Sequence, residues 1–319
     1  MGKKVQHIGS AVLLCIATAC AAAQKYPAKP IRIVTAEAGG GSDIVSRLIG
    51  QGLNATWGKP VVVDNRGGGV VAGEIVSRAP ADGYTLLYYG STLWLLPLIR
   101  KDVPYDTGKD FTPVIQAIST PAVLVVFPGL PAKSVAELIA LAKAAPGKLN
   151  YGSAALGTAT HMAAELFKYT AGVNIVRVPY KGTGTALNDL FGGQIQMMFA
   201  VASSVAPHMK SGKLRGLAIT TARPSPAFPD LPTVAAAGLP GFEAVTFSGL
   251  FAPARTPKAI VDQLNTEIRA VLMKPEARER LTSSGVDVVA GTSREFADNI
   301  ANDMAVLGKV IRSAGIREE

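Results

Sequence analysis

Two turns in the middle of the chain bring glycine, hydroxyl and cationic residues together where a strand hands over to a helix. In the first, Lys148-Leu149-Asn150-Tyr151-Gly152-Ser153 reads as a strand and Ala154-Ala155-Leu156-Gly157-Thr158 as a loop. A helix from Ala159 to about Tyr169 follows, with Thr160 and His161 in its first turn. In the second, Ile175 to Pro179 reads as a strand and Tyr180-Lys181-Gly182-Thr183-Gly184-Thr185 as a turn, with a helix from about Ala186. Glycine lets the backbone fold tightly and approach a ligand, and the N–H groups at a helix start carry partial positive charge. Hydroxyls add donors that rotate toward an acceptor. Two such turns side by side suit a small anion, above all a carboxylate.

Similar turns recur earlier. Ile31 to Thr35 is followed by Ala36-Glu37-Ala38-Gly39-Gly40-Gly41, with Ser42 as N-cap and Asp43 in the first turn of a helix whose apolar residues are Ile44, Val45, Leu48, Ile49 and Leu53. Val61 to Val63 leads through Asp64-Asn65-Arg66-Gly67-Gly68-Gly69 into a helix, and Tyr84 to Tyr89 leads through Gly90-Ser91-Thr92 into another. One turn of this kind is a steric commonplace, but several at equivalent places favour a binding cleft.

Other chemistries find little support. Gly182-x-Gly184 is followed by Leu187 where a dinucleotide fingerprint needs Gly or Ala, and no phosphate-binding P-loop occurs. Ser153 and Ser91 lack the G-x-S-x-G elbow of an activated serine. His161 is the one reasonable general base, and a ligand-contacting or capping role suits it better. Without clustered His, Cys or carboxylates no metal is expected, and no cofactor. Lys181 either meets a ligand carboxylate or sits solvated on its turn; Glu37 either receives a cationic group or faces solvent.

The elements that position these turns alternate strand and helix, which predicts an α/β protein built on mainly parallel sheets flanked by helices. A strong strand is expected at Val123 to Phe127, and further strands at Ile195 to Phe199, Leu214 to Thr220, Phe247 to Ala252 and Val286 to Val289. Capping boxes are expected at Ser134–Glu137 and Thr292–Glu295, and Thr256-Pro257 reads as N-cap and first helical residue. The expected organisation is residues 24–123 with 248–319 as one lobe and 124–247 as the other, the chain crossing twice and leaving a cleft between them. Ligands of such sheets lie beyond the carboxyl ends of the strands.

Lys3 and Lys4, the apolar run Ile8 to Ala19 and Ala21-Ala22-Ala23 together predict a secretory signal peptide over 1–23 and a periplasmic protein starting at Gln24. Cys20 raises lipidation as the second reading; Ala17 stands where such sites usually carry Leu. Both cysteines, Cys15 and Cys20, fall inside the signal, so the exported part has no thiol and its core must hold the fold unaided. The formal charge of +9 falls to +7 without Lys3 and Lys4, and the positive residues are scattered with no aromatic interleaving. That excludes a nucleic-acid reading and leaves a weak bias toward anions.

The chain resembles the substrate-binding receptors of tripartite tricarboxylate transporters, the Bug family. The resemblance covers almost everything after the signal. It is carried by Asp64-Asn65-Arg66 with its glycines, Asp82-Gly83-Tyr84-Thr85-Leu86, Pro104-Tyr105-Asp106 with Lys109 to Pro113, and Gly147-Lys148-Leu149-Asn150-Tyr151. Val178-Pro179-Tyr180-Lys181-Gly182, Pro229 to Thr233 and Ala237 to Gly241 continue it. What the resemblance implies is a two-lobed type II periplasmic-binding fold, a carboxylate ligand between the lobes, membrane transporter subunits as partners, and a monomer. Its cleft loops correspond to Glu37 to Asp43, with Ala38, Gly39 and Gly40; to Ser153 to His161, with Gly157, Thr158 and Thr160; and to Tyr180 to Thr183, with Lys181 and Gly182. Ser91 and Ala200 complete the expected ligand contacts. Two departures stand out: Glu37-Ala38 replaces a proline-containing loop start, and Ala200 stands where many relatives carry Asp. The expected function is an extracytoplasmic receptor for a small organic carboxylate. A ligand-sensing subunit of a signalling system, or a secreted enzyme using His161 as base, are the rivals.

Overall fold

The computed structural model describes residues 26–36, 38–39, 41–67, 70–154, 156–180, 182–225, 228–283 and 285–317. The proposed signal, Glu37, Gly40 and Lys181 therefore lie outside the described residues. The first stretch runs β1 (Ile31–Thr35), α1 (Gly41–Trp57), β2 (Val61–Asn65), α2 (Val71–Ser77), β3 (Thr85–Gly90), α3 (Thr92–Ile99) and α4 (Thr107–Asp110). A long strand β4 (Phe111–Val126) then leads to α5 (Val135–Ala144), β5 (Asn150–Ser153), α6 (Ala159–Ala171), β6 (Val176–Pro179), α7 (Thr183–Phe191), β7 (Met197–Val201), α8 (Ala202–Lys210) and β8 (Arg215–Ile219). The chain returns by β9 (Val245–Pro253) to α9 (Lys258–Leu272), α10 (Pro275–Thr282), β10 (Asp287–Val288) and α11 (Ser293–Ser313).

Local sequence explains most of these boundaries. In α1 the buried side chains Val45, Leu48, Ile49 and Leu53 recur at helical spacing. Helix α11 opens with a complete capping box between Thr292 and Glu295. Three expected caps are built differently. Ser134 accepts from Glu137 N–H at 3.1 Å, but the Glu137 carboxylate reaches the N–H of Lys133, not of Ser134. Thr256 donates to Pro253 O at 2.7 Å, closing the turn after β9, so Pro257 takes the N-cap place of α9. Ser42 lies inside α1, which starts one residue earlier, and the buried Asp43 carboxylate satisfies the loop instead.

The strands form one mixed sheet in the order β2-β1-β3-β9-β4-β7-β5-β6, with β8 and β10 also paired to β4. Pairs β1–β2, β1–β3, β5–β6 and β5–β7 are the expected parallel ones. The strands that cross between the halves, β4 and β9, run antiparallel to their neighbours. Strand β4 is longer than its apolar run, because Phe111 to Pro121 also pairs with β9. Pro113 and the polar Gln116, Ser119 and Thr120 hide that half from periodicity, and register shifts at Pro113/Ile115 and Gln116/Ile118 accommodate it.

Register decides where the strand ends point. At the carboxyl end of β3, Gly90 pairs with Ser248 of β9, which pairs with Ile118 of β4. At the carboxyl end of β7, Val201 pairs with Ala122 of β4. Since β1 and β2 run with β3, and β5 and β6 with β7, the carboxyl ends of both parallel sets converge on the same few residues of β4, from 118 to 122. One apolar core passes beneath this crossing: Trp94 stacks on Phe247 at 5.1 Å, and Phe199 on Phe242 at 6.1 Å, within a single buried cluster. Two further clusters fill the outer layer of each half.

Candidate functional site

The β5–α6 loop is braced from the neighbouring strand. Ser153, fully buried, accepts from Arg177 Nε at 2.8 Å and donates to Ala154 O at 3.4 Å. Arg177 Nη2 donates to Ala154 O at 2.7 Å. The Ser153 hydroxyl is thus engaged within the chain, which makes it a brace for the loop and takes it out of the expected contact set. Gly157 has φ +73°, and a Cβ there would stand 2.9 Å from Ile99 Cδ1, so only glycine lets the loop pass the end of α3. Thr158 is the N-cap of α6 and makes no side-chain cap bond, while its carbonyl accepts from Met162 N–H at 2.9 Å. Thr160, partly exposed in the first turn, has no side-chain hydrogen bond among the described residues.

His161 is 1 % exposed, and its Nδ1 accepts from Gly157 N–H at 3.2 Å. Burial first, and then the nearby Arg177 charge, bring its pKa down to about 4. An accepting Nδ1 requires the neutral ring with its proton on Nε2. With the folded pKa below the unfolded value of about 6.5, the native state binds fewer protons, so this residue lowers stability as pH falls through that window. NMR titration should show the His161 ring unchanged from pH 8 to pH 5.5. A midpoint near 6.5 would mean that the ring is solvated and free of Gly157.

The β6–α7 turn sits against the first loop, because Tyr180 N–H donates to Ser153 O at 2.9 Å. Helix α7 begins at Thr183, three residues before the expected start, with Gly182 as N-cap and Thr185 Oγ1 donating back to Gly182 O at 2.8 Å. The amino ends of α6 and α7 are therefore neighbours.

In the other half, the β1–α1 loop is held from below by Asp43. Its Oδ2 accepts from Gly39 N–H and its Oδ1 from Asn65 Nδ2, both at 2.9 Å. The Gly39 N–H, then Arg47 and Asn65, keep the carboxyl at about 2. Asn65 Nδ2 also donates to Ala36 O at 2.9 Å. Ala38 and Gly39 are left exposed at the loop tip. Ser91 holds the N-cap place of α3, and its hydroxyl is without a hydrogen bond among the described residues. Ala200 is a correction: on β7 it is fully buried against the third apolar cluster, so its methyl packs and offers a ligand no surface.

A groove of about 800 Å³ runs beside these loops between α6 and α11, lined among others by Ser91, Gln116, Ser119, Met162 and Asp303. Ser91 is the one expected contact that it includes, so groove and loop cluster meet there without coinciding. No group of three metal-ligating side chains exists among the described residues.

Two positioning residues went unnoticed in the sequence. Arg177 had a signal, a lone charge in the otherwise apolar run Ile175 to Pro179. Asn65 stood out only as part of the Asp64-Asn65-Arg66 motif, with no hint of its positioning role, because its partners Ala36 and Asp43 lie more than twenty residues away.

Two α/β halves joined by two crossing strands, with the helix amino ends and glycine turns of both gathered at the crossing, define a two-lobed type II periplasmic-binding fold. The sequence model of the tripartite tricarboxylate transporter family receptor family, TctC, matches residues 45–316, and the chain belongs to that family. Protein BugT of Bordetella pertussis is 36% identical over 92% of this chain and 92% of its own. Among solved structures, Rpa4515 of R. palustris with adipate is 35% identical, covers 92% of this chain and 99% of its own, and has a TM-score of 0.77. MatC (Rpa3494) of Rhodopseudomonas palustris with bound malate is 30% identical, covers 90% and 100%, and has a TM-score of 0.74. The family is one of solute-binding receptors and not of enzymes. The general-base reading of His161 falls with that, since its Nδ1 lone pair is occupied by Gly157.

Proposed function

We propose that the protein captures a small organic carboxylate in the periplasm and delivers it to the membrane subunits of a tripartite tricarboxylate-type transporter. The observation that carries this reading is the pair of adjacent helix amino ends, α6 and α7, gathered with the β1–α1 loop at the crossing of β4 and β9. Main-chain N–H groups there are preorganised for an anion, and rigid donors bind without paying an ordering cost at the moment of capture. The adipate and malate complexes of relatives support the same ligand class. In this reading residues 24–123 with 248–319 form one lobe and 124–247 the other, and closure about β4 and β9 brings donors of both onto the ligand and excludes water. The signal peptide over 1–23 and the monomeric state belong to the same proposal.

Thr158 tests it. Thr158→Val keeps the branched shape and removes the hydroxyl at the amino end of α6. That hydroxyl makes no side-chain cap bond in α6, so the helix start loses no cap in the variant, and the apo melting temperature is measured beside the affinity. Losing one hydrogen bond to a charged ligand costs about 1.5–3 kcal/mol, a ten- to hundredfold rise in Kd. Calorimetric titration of wild type and variant with adipate and malate reads this directly. Unchanged affinity with a lowered apo melting temperature would remove Thr158 from the site. No heat with any small carboxylate would sink the receptor reading itself.

A further inference from the structure

We infer that Arg177 makes this cleft select dicarboxylates, by offering a fixed positive charge to the ligand's second carboxylate beside the amino end of α6; this rests on the carboxylate reading above. Arg177 pairs with Tyr151 across β5 and β6, so both side chains rise on the same face of the sheet. That face is covered by α6, because the Tyr151 hydroxyl donates to Glu165 of that helix. From there the guanidinium reaches forward to Ser153 Oγ and Ala154 O at the start of the loop. These two bonds use Nε and Nη2. Nη1 has no acceptor, and Arg177 has no carboxylate within ion-pair distance, among the described residues.

Other arginines of this protein have a carboxylate partner, the half-buried Arg32 and the exposed Arg47, Arg66 and Arg78 among them. Arg32 and Arg66 share Asp64, Arg47 binds Asp43, and Arg78 binds Glu74. Arg215 also lacks a carboxylate, but its Nη atoms are bound by three backbone carbonyls, those of Pro128, Leu130 and Ala132. Glu165, the acid on the facing helix, is already joined to Lys168 at 2.7 Å and to Tyr151. A partly desolvated cation left without a counter-charge is costly in a folded protein. A planar fork with open donors fits a carboxylate. His161 accepts from Gly157 and so is not the competing cation. A ligand with one carboxylate satisfies the helix amino ends and leaves Arg177 bare; a ligand with two answers both.

The test compares chain-matched acids by calorimetry: adipate against hexanoate, and succinate against butyrate. Wild type should bind one or both diacids ten- to a hundredfold tighter than the matched monoacid, the size of one charge-assisted bond. Arg177→Gln removes the charge while keeping an amide able to donate to Ser153, and should reduce that ratio to about threefold or less. Arg177→Lys keeps the charge without the fork and should restore most of the preference. If the glutamine variant does not fold, the lysine variant decides: a preserved ratio supports the charge, a lost ratio overturns it. Equal weakening of diacid and monoacid in Arg177→Gln would make Arg177 a loop brace alone and overturn the inference, as would a wild type with no diacid preference. A wild type binding neither series would remove the receptor reading instead.

Discussion

Gly249→Ala is expected to cost at least about 3 kcal/mol, enough to prevent folding or to lower the melting temperature by roughly 6–12 °C. Gly249 lies on β9 between Tyr89 of β3 and Gln116 of β4. The two register shifts of β4 flank it and push the Ile115 carbonyl toward β9. A Cβ at Gly249 would stand 2.0 Å from Ile115 O and 2.8 Å from Phe296 Cε1. The carbonyl belongs to a central strand and cannot yield without breaking the ladder on which both halves hang. Phe296 projects from α11 and is fully buried, so it has nowhere to move either. Gly184→Ala is the control, because nothing lies within 4 Å of its would-be Cβ inside α7. That change should leave the melting temperature equal or slightly raised, as alanine is the better helix former by about 1 kcal/mol. Thermal melts of both variants read the contrast. A Gly249→Ala protein melting with wild type would show that β4 and β9 are not locked at this point.

Asp303→Asn should act in the opposite direction and stabilise the protein at neutral pH by roughly 2–3 kcal/mol. Asp303 projects from α11 and its Oδ2 accepts from the indole N–H of Trp94 at 2.6 Å. No cation is paired with it among the described residues, and burial pushes its pKa up to about 6. The folded value lies above the unfolded one, so the native state holds the proton more tightly. The carboxylate therefore destabilises the fold above about pH 6, and this penalty fades as pH falls toward 4. Asparagine copies the protonated acid and still accepts from Trp94. Urea melts at pH 7.5 and pH 4.5 should show a large gap between variant and wild type at the higher pH and a small one at the lower. Because the comparison is a difference, the opposite pH response of His161 cancels from it. A variant less stable than wild type at pH 7.5 would mean that the charge, and not merely the hydrogen bond, holds Trp94 in place. Trp94 is fully buried and stacks on Phe247, so such an effect would be felt at the crossing of the strands.

The elements were legible because their signals are local. The capping box at Thr292 and Glu295, the helical spacing in α1, the apolar run at Val123 to Val126 and the glycine turns all operate within a few residues; α1 and α11 start close to where they are expected, whereas β4 extends its apolar run back to Phe111. Family motifs such as Asp64-Asn65-Arg66 added the overall architecture, since they preserve an order of elements along the whole chain. The site was legible only as a set of loops. Ser153 and Ala200 have the composition of ligand contacts, yet one is bound by Arg177 from the next strand and the other is sealed under apolar neighbours. Burial and hydrogen-bond partners depend on residues distant in sequence, and no window of the chain contains them. The same holds for Asp43, whose partner Asn65 at the end of β2 lies 22 residues away, and for Asp303, whose pKa is raised by burial and whose hydrogen-bond partner Trp94 lies 209 residues away. Above all, the convergence of both sets of strand ends is a matter of register on β4 and β9. Register is chosen by whole-sheet pairing, so only the folded chain could bring the two halves of the site face to face.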